Sequence, residues 1–273
     1  MVTENIIEKI ESLPPLPKTV IEIEEFRQQQ EKEPYDLLKI IEKDALIVST
    51  LLKVSNSAMF GFRSKVETVS KAINLLGINF TISIAIGGTI QNLLKTNLSP
   101  YGINSDDFMK ASNLATTLAS LWLGRVSFDL KEELVLPALL QESGKFVIAD
   151  IIASNNKVEE FQELLATGKP IAQCEMETIG LTTSEVTARI FKHWNLSDNL
   201  INVIEKVDDL DNCNPEYLQK SQILFVLKSI CNIRDCFSQE SIGYGIAKAK
   251  SFNLETKNLE TSIEKLQDRL LDE

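Results

Sequence analysis

The chain has 273 residues, 44% hydrophobic and 25% charged, which is enough for one large or two small domains and excludes a disordered chain. Its formal net charge of −11 excludes a broad nucleic-acid-binding surface, because phosphate contacts need clustered lysine and arginine. No apolar run is long enough for a membrane span, and the first residues lack the positive region of a signal peptide, so we expect a cytoplasmic protein without membrane contact.

The first part of the chain has helical periodicity with clear start and stop signals. Residues 1–12 form an amphipathic helix pattern that must end at the proline segment 13–17. Pro34 suits the first turn of a later helix, and Asp44 and Thr68 are typical N-caps of two more. Gly61 and Gly77 are placed to end helices in the left-handed conformation.

Three features between residues 56 and 107 need interpretation. Asn56-Ser57 is typical of a helix end, with contact to a ligand as the alternative. Residues 79–95 alternate like a strand in places, but their length favours a helix, in which Gly87-Gly88 indicates a close helix contact or a kink. The turn-rich stretch 96–107 is the best internal boundary.

The second part is also predicted to be helical. Its segments are 108–123, 131–153, 157–167, 183–194, 197–207, 216–233 and 239–250.

The tail, 255–271, has a narrow apolar seam with charged flanks. The seam consists of Leu259, Ile263, Leu266 and Leu270. It predicts either a helix docked on its own domain or a helix for self-association or partner binding. Removal of 255–273 followed by a mass measurement in solution distinguishes the two.

Several ordered motifs together resemble one family. They are Leu13-Pro14-Pro15-Leu16-Pro17, then Asp44, then 51–58 followed by Phe60-Gly61, then 69–77 with Ala72-Ile73-Asn74-Leu75-Leu76-Gly77. In this order they resemble the HDOD domain, the HD-related output domain of bacterial signalling proteins. Later landmarks also match, since Glu177-x-x-Gly180 and Trp194-Asn195-Leu196 are similar to family positions.

The resemblance implies an all-α fold with two lobes, an N-terminal helical lobe packed on a degenerate HD-like helical lobe. It divides the chain into an N-terminal helix over 1–12, an HDOD domain over 13–208 and a C-terminal helical extension over 209–273. Within the domain, we expect the N-terminal lobe over 13–95 and the HD-like lobe over 108–208.

The segment 139–145 resembles the place where HD phosphohydrolases carry Leu-Leu-His-Asp-x-Gly-Lys, and it departs from that pattern where metal would bind. The His-Asp dyad falls on Gln141 and Glu142, and the other ligand positions fall on Ala111, Thr183 and Asp208. None of them is histidine. A two-metal hydrolase needs converging imidazoles and carboxylates, so we expect a vestigial pocket with no catalytic residue, metal or cofactor. The alternative is one hard ion held by Glu142 and Asp208.

Two residue counts limit the other chemistry. The single histidine, His193, cannot supply a site that needs two, and its neighbour Trp194 predicts a buried indole, with a base-stacking platform as the alternative. The four cysteines lack CxxC spacing, so we expect reduced thiols and no zinc site. They are Cys174, Cys213, Cys231 and Cys236.

These observations predict a regulatory signal-transduction module that is not an enzyme. With no receiver, kinase or cyclase sequence in the chain, we expect it to act in trans, through protein contacts with signalling proteins. Two alternatives stay open: a nucleotide-binding sensor that uses the vestigial pocket, and a residual metal-dependent phosphohydrolase.

Overall fold

The computed structural model describes residues 2–271 except Ala58, Met59, Gly61 and Arg63. Within this part the chain is all-helical, as predicted. The helices are α1 Val2–Glu11, α2 Lys18–Arg27, α3 Pro34–Ile41, α4 Ala45–Ser55, α5 Val69–Leu76, α6 Ile78–Leu93, α7 Ser105–Leu123, α8 Phe128–Leu140, α9 Gly144–Ser154, α10 Val158–Ala166, α11 Ile171–Ile179, α12 Thr183–His193, α13 Asp198–Glu205, α14 Pro215–Ile230, α15 Gln239–Ser251 and α16 Lys257–Leu271.

Local signals set the helix ends in the N-terminal part. Asp44 accepts hydrogen bonds from the backbone N–H groups of Leu46 and Ile47, and Thr68 accepts one from Lys71, so both predicted N-caps are confirmed. Gly77 lies between α5 and α6 with φ of +82°, a backbone conformation that glycine adopts without strain. The predicted helix end at Gly61 lies outside the described residues.

The Asn56 side chain closes α4, as predicted. Its amide nitrogen donates to the carbonyl of Leu52 at 2.7 Å and to that of Val66 at 2.8 Å, and its amide oxygen accepts from Val66 N–H at 2.8 Å. The side chain therefore satisfies an exposed helix carbonyl and holds the following loop against the helix.

The ambiguous segment 79–95 is a helix, α6, and it is central. Its middle is buried on all sides. A Cβ at Gly87 would lie 2.3 Å from Leu139, and one at Gly88 would lie 2.5 Å from Thr50, so the two glycines allow α8 and α4 to approach closely. No single helix in the described part of the chain is long and apolar enough to cross a membrane, and the one pair that reaches the length, α5 with α6, is bent by 120°.

The prediction of one helix over 131–153 is wrong, because the structure has two helices, α8 and α9, with a break at residues 141–143. At this break Gly144 packs so closely on α12 that a Cβ would lie 2.5 Å from the carbonyl oxygen of Thr183. Its N–H group donates to the Thr187 hydroxyl at 2.8 Å. Because α8 and α9 are both buried, apolar residues lie on both sides of the break, and the hydrophobic pattern does not mark it.

The sequence analysis also missed α11. This helix has nine residues and begins directly after Pro170, so its periodic signal is short. It supplies Glu175, a fully buried acid, to the site described below.

The helices after residue 209 pack on the rest of the chain. Helix α14 contacts α7, α8 and α13, and α16 contacts α7. The seam residues Leu259, Ile263 and Leu266 are buried, and Trp122 of α7 donates its indole N–H to the carbonyl of Glu255 at 2.9 Å. The structure shows α16 docked on α7, and self-association or partner binding through 255–271 stays a prediction that the mass measurement tests.

Candidate functional site

A buried lysine stands at the centre of the site. The break between α8 and α9 places Lys145 in the first turn of α9, where its side chain is 0% exposed. Its ammonium lies 2.9 Å from Glu142 Oε2, 3.2 Å from Glu175 Oε1 and 2.9 Å from Thr183 Oγ1. A fully buried lysine is rare in proteins unless it is paired, and here three oxygen atoms contact the ammonium.

A second lysine enters from the C-terminal helices. Lys228 of α14 places its ammonium 2.7 Å and 2.9 Å from the two carboxylate oxygens of Asp208, and 3.0 Å from Glu142 Oε1. Glu142 therefore contacts one ammonium with each carboxylate oxygen. The result is a continuous chain of alternating charges from Asp208 to Glu175.

The far end of this chain is held by hydroxyl groups. Glu175 accepts hydrogen bonds from the Tyr101 hydroxyl at 2.9 Å, and from both the hydroxyl and the backbone N–H of Thr183. The Lys145 ammonium also lies 5.2 Å from the centre of the Tyr101 ring. Helices α9, α11 and α12 thus meet at one polar cluster inside an apolar core. We call Tyr101, Glu142, Lys145, Glu175, Thr183, Asp208 and Lys228 the lysine-filled cluster.

Charge pairing in the cluster changes the pKa values of its acids. Burial raises the pKa of Glu142, but the charges of Lys145 and Lys228 outweigh burial and hold that pKa below its ordinary value of 4.5. Burial opposes ionisation of Asp208 too, and the charge and hydrogen bonds of Lys228 lower its pKa below 3.8. For Lys228 the carboxylates of Asp208 and Glu142 outweigh burial and raise the pKa. Both carboxylates and the Lys228 ammonium are therefore charged at neutral pH.

Tyr101 differs from these groups because, among the residues that the structure describes, no cation forms an ion pair with its hydroxyl oxygen. Burial and the adjacent Glu175 carboxylate raise its pKa well above 10.0, so the hydroxyl stays protonated and acts as a donor.

The structure brings together three of the five predicted positions. Glu142, Thr183 and Asp208 belong to the lysine-filled cluster. Gln141 is not a member of the cluster: its backbone carbonyl accepts from the Thr187 hydroxyl at 3.1 Å, and its buried amide has no hydrogen-bond partner among the described residues. Ala111 is buried in α7 and has no polar side-chain atom to add.

The residues present do not fit a two-metal centre of the kind expected in an HD phosphohydrolase. Glu142 and Asp208, the two carboxylates at ligand positions, already contact ammonium groups at 3.0 Å or less. Thr183 donates its hydroxyl to Glu175. Among the residues that the structure describes, no group of three or more histidine, cysteine or acidic side chains could hold a metal ion. A dication here would have to displace the buried Lys145 ammonium and the half-buried Lys228 ammonium first.

Comparison with known proteins decides the family. The family model for the HDOD domain matches residues 13–210. The chain belongs to the HDOD domain family. An uncharacterised protein of Treponema pallidum is 24% identical over 222 residues, covering 78% of this chain and 41% of that protein, so this HDOD chain spans less than half of its relative.

Solved structures show the same fold. A candidate phosphohydrolase from Shewanella amazonensis superposes with a TM-score of 0.74 at 18% identity, covering 97% of this chain and 93% of its own. A candidate signal transduction protein from Marinobacter aquaeolei superposes with a TM-score of 0.73 at 20% identity, covering 95% of this chain and 58% of its own. At these identities the likeness shows the HDOD fold alone.

Four members of the cluster were missed by sequence reasoning. Lys145 stands three residues after Glu142, a spacing that brings side chains together on a helix and that could have indicated an ion pair. Tyr101 lies 74 residues from Glu175, Glu175 lies 30 residues from Lys145, and Lys228 lies 20 residues from Asp208, so no local pattern marks these pairs. Trp194, another candidate, is buried and donates its indole N–H to the carbonyl of Pro14 at 2.9 Å, which confirms the predicted buried indole.

Proposed function

We propose that this HDOD chain is a regulatory module of cytoplasmic signal transduction that works through protein contacts and does not hydrolyse phosphate esters. The observation that carries the proposal is the position of the Lys145 and Lys228 ammonium groups on the carboxylates of Glu142 and Asp208. These ammonium groups use the oxygens that a hydrolytic metal centre would need.

The electrostatic argument supports the same reading. Metal-assisted hydrolysis needs a metal that lowers the pKa of its bound water and leaves a coordination position open to it. The Lys145 and Lys228 ammonium groups repel an incoming dication, and removing either of them leaves a buried carboxylate without that counter-charge. The cluster is therefore suited to holding helices together and poorly suited to exchanging an ion.

A surface for protein contact lies away from this cluster. Phe128 and Tyr35 are 69% and 65% exposed, and Leu75 is 45% exposed. Two grooves near these side chains, of about 310 Å³ and 190 Å³, are both lined in part by α5. Large exposed apolar side chains beside grooves are typical of protein-binding sites. We infer that the partner binds across α3, α5 and the start of α8.

The hydrolysis half of the proposal is tested with phosphodiester and nucleotide substrates in the presence of Mg²⁺ or Mn²⁺. We expect no turnover by the full chain above that of a Glu142→Gln variant. Turnover by the full chain that the Glu142→Gln change abolishes would overturn the proposal and restore the phosphohydrolase alternative.

The contact half is tested by quantitative cross-linking in extract of the source bacterium. The wild-type chain is compared with Phe128→Ser, and with Tyr244→Ser as the matched control, since Tyr244 is a 48% exposed aromatic residue on α15. We expect partners that are captured by the wild type and Tyr244→Ser but lost with Phe128→Ser. Identical capture by all three chains contradicts the assigned surface.

The sensor alternative would need a site other than the lysine-filled cluster, whose charged groups pair with each other. One observation favours this alternative: Lys32 and Lys131 line the larger groove beside apolar residues and offer cationic contacts to an anionic ligand, which Glu132 in the same lining opposes. A thermal-shift screen with nucleotides distinguishes this alternative, since a ligand that binds the native state raises the unfolding temperature.

A further inference from the structure

Two cysteines face each other across a tight turn at the end of α14. The N–H group of Asp235 donates to the carbonyl of Asn232 at 3.2 Å and closes a turn over 232–235. The N–H group of Phe237 donates to the carbonyl of Ile230 at 3.0 Å. Cys231 and Cys236 lie between these two hydrogen bonds, one on each side of the turn.

The two hydrogen bonds bring the backbones of Cys231 and Cys236 opposite each other across the turn. In the comparable non-hydrogen-bonded pair of an antiparallel ladder, the two Cα atoms lie about 4.5 Å apart. That distance falls within the range of about 4.4–6.8 Å that a disulfide bond needs. Both cysteines carry free thiols, and each thiol is close enough to shift the pKa of the other.

The two thiols differ in access and in acidity. Cys231 is 4% exposed, whereas Cys236 is half-buried and reachable from solvent. The hydrogen bond from Cys231 lowers the pKa of Cys236, and the charge of Lys110 adds to this effect, whereas burial and Asp235 oppose it. Burial raises the pKa of Cys231. The accessible thiol is therefore the better nucleophile and the buried one is placed to resolve it.

We propose that Cys231 and Cys236 form a reversible disulfide, a redox-modification site at the C-terminal end of α14. This inference is independent of the proposed function. In proteins of reducing compartments, transient disulfides of this kind are usually catalytic or redox-sensing. The bond would fix the loop that ends α14, three residues after Lys228.

The chemistry is thiol–disulfide exchange with a low-molecular-weight disulfide such as oxidised glutathione as the oxidant. The Cys236 thiolate attacks one sulfur of the oxidant, forms a mixed disulfide and releases one small thiolate. The Cys231 thiol, on losing its proton to solvent, then attacks Cys236 Sγ and releases the second small thiol. Two protein thiols are oxidised, and one small disulfide is reduced to two thiols.

Peptide mapping of the full chain tests the proposal. The reduced chain is treated with oxidised glutathione, quenched with acid, alkylated and digested with trypsin. Trypsin cuts after Lys228 and Arg234, so the two cysteines fall on separate peptides, 229–234 and 235–248. We expect these peptides to become joined at least about tenfold faster than the buried Cys174 thiol is lost, and to separate again with dithiothreitol.

Two variants complete the test. Cys231→Ser should stop at a glutathione adduct on Cys236, and Cys213→Ser should leave the disulfide unchanged. The proposal is overturned if the wild-type chain keeps glutathione on Cys236 with Cys231 free, if Cys236 pairs with another cysteine, or if neither thiol reacts. The wild-type mapping decides the question even where a variant fails to fold.

Discussion

The ammonium of Lys228 lies 2.7 Å and 2.9 Å from the two carboxylate oxygens of Asp208. Asp208 falls within the residues that match the HDOD domain, whereas Lys228 lies beyond them, in α14. The C-terminal helices therefore supply a charge to Asp208, one of the predicted ligand positions, and they belong to the same core.

Loss of the Lys228 charge should strongly destabilise the chain. Lys228→Met leaves the Asp208 carboxylate buried without its counter-charge, which costs about 3–5 kcal/mol. The control is Lys206→Met, because Lys206 forms a more exposed pair with Asp209, and such pairs contribute about 0–1 kcal/mol. Urea unfolding followed by tryptophan fluorescence measures both free energies. Equal losses for the two variants would contradict the assigned role of Lys228.

The ion pairs of Lys228 with Asp208 and Glu142 predict how the stability of the chain depends on pH. The pKa values of Glu142 and Asp208 are lowered by folding, so their contribution is complete above the ordinary values of 4.5 and 3.8 and is lost as the pH falls through the lower folded values. In Lys228→Met, the ammonium that lowers the pKa of Asp208 is absent, and burial then raises that pKa. The difference in unfolding free energy between wild type and Lys228→Met should therefore narrow from about pH 6 to about pH 3. A constant difference across this interval argues against the pairing.

The Gln141 amide should be replaceable by an apolar group. It is 2% exposed and its nitrogen and oxygen have no hydrogen-bond partner among the described residues. Because an unpaired buried amide costs free energy, Gln141→Leu should leave stability unchanged or raise it by about 1 kcal/mol. Chemical unfolding measures the change. A loss of about 2 kcal/mol or more would show that the amide is paired in solution.

The close contact at Gly144 predicts opposite effects for two glycine substitutions. A Cβ at Gly144 would lie 2.5 Å from the carbonyl oxygen of Thr183, so Gly144→Ala must separate α9 from α12 and should cost about 1–3 kcal/mol. Gly243 in α15 has nothing within 4 Å of such a Cβ, so Gly243→Ala should gain up to about 1 kcal/mol. Thermal unfolding measures the change in stability of each variant. A change of the same sign in both variants would contradict the packing argument.

Local chemistry explains which parts of the fold were predictable. Asp44, Thr68 and Gly77 act within one helix turn, so their residue types alone mark the helix ends. The break between α8 and α9 depends on how Gly144 meets α12, forty residues later, and the apolar run gives no sign of it. Periodicity shows which face of a helix is buried, but not which helix covers it.

The site was predictable only in part, for the same reason. The motif positions of Glu142, Thr183 and Asp208 do lie in one cluster. The lysines of the cluster could not be predicted from those motif positions. Lys228, for example, contacts Asp208 from a helix 20 residues further along the chain. The missing histidines predict that the pocket holds no metal, whereas the ion pairs of Lys145 and Lys228 emerge only from the packing of helices.

The central claim is that two lysine ammonium groups occupy the place of the metal ions. Calorimetric titration of the metal-free full chain with Mn²⁺, repeated with Glu142→Gln, tests it most directly. We expect no stoichiometric binding by either chain. Stoichiometric Mn²⁺ binding by the wild type that disappears in Glu142→Gln would contradict the claim.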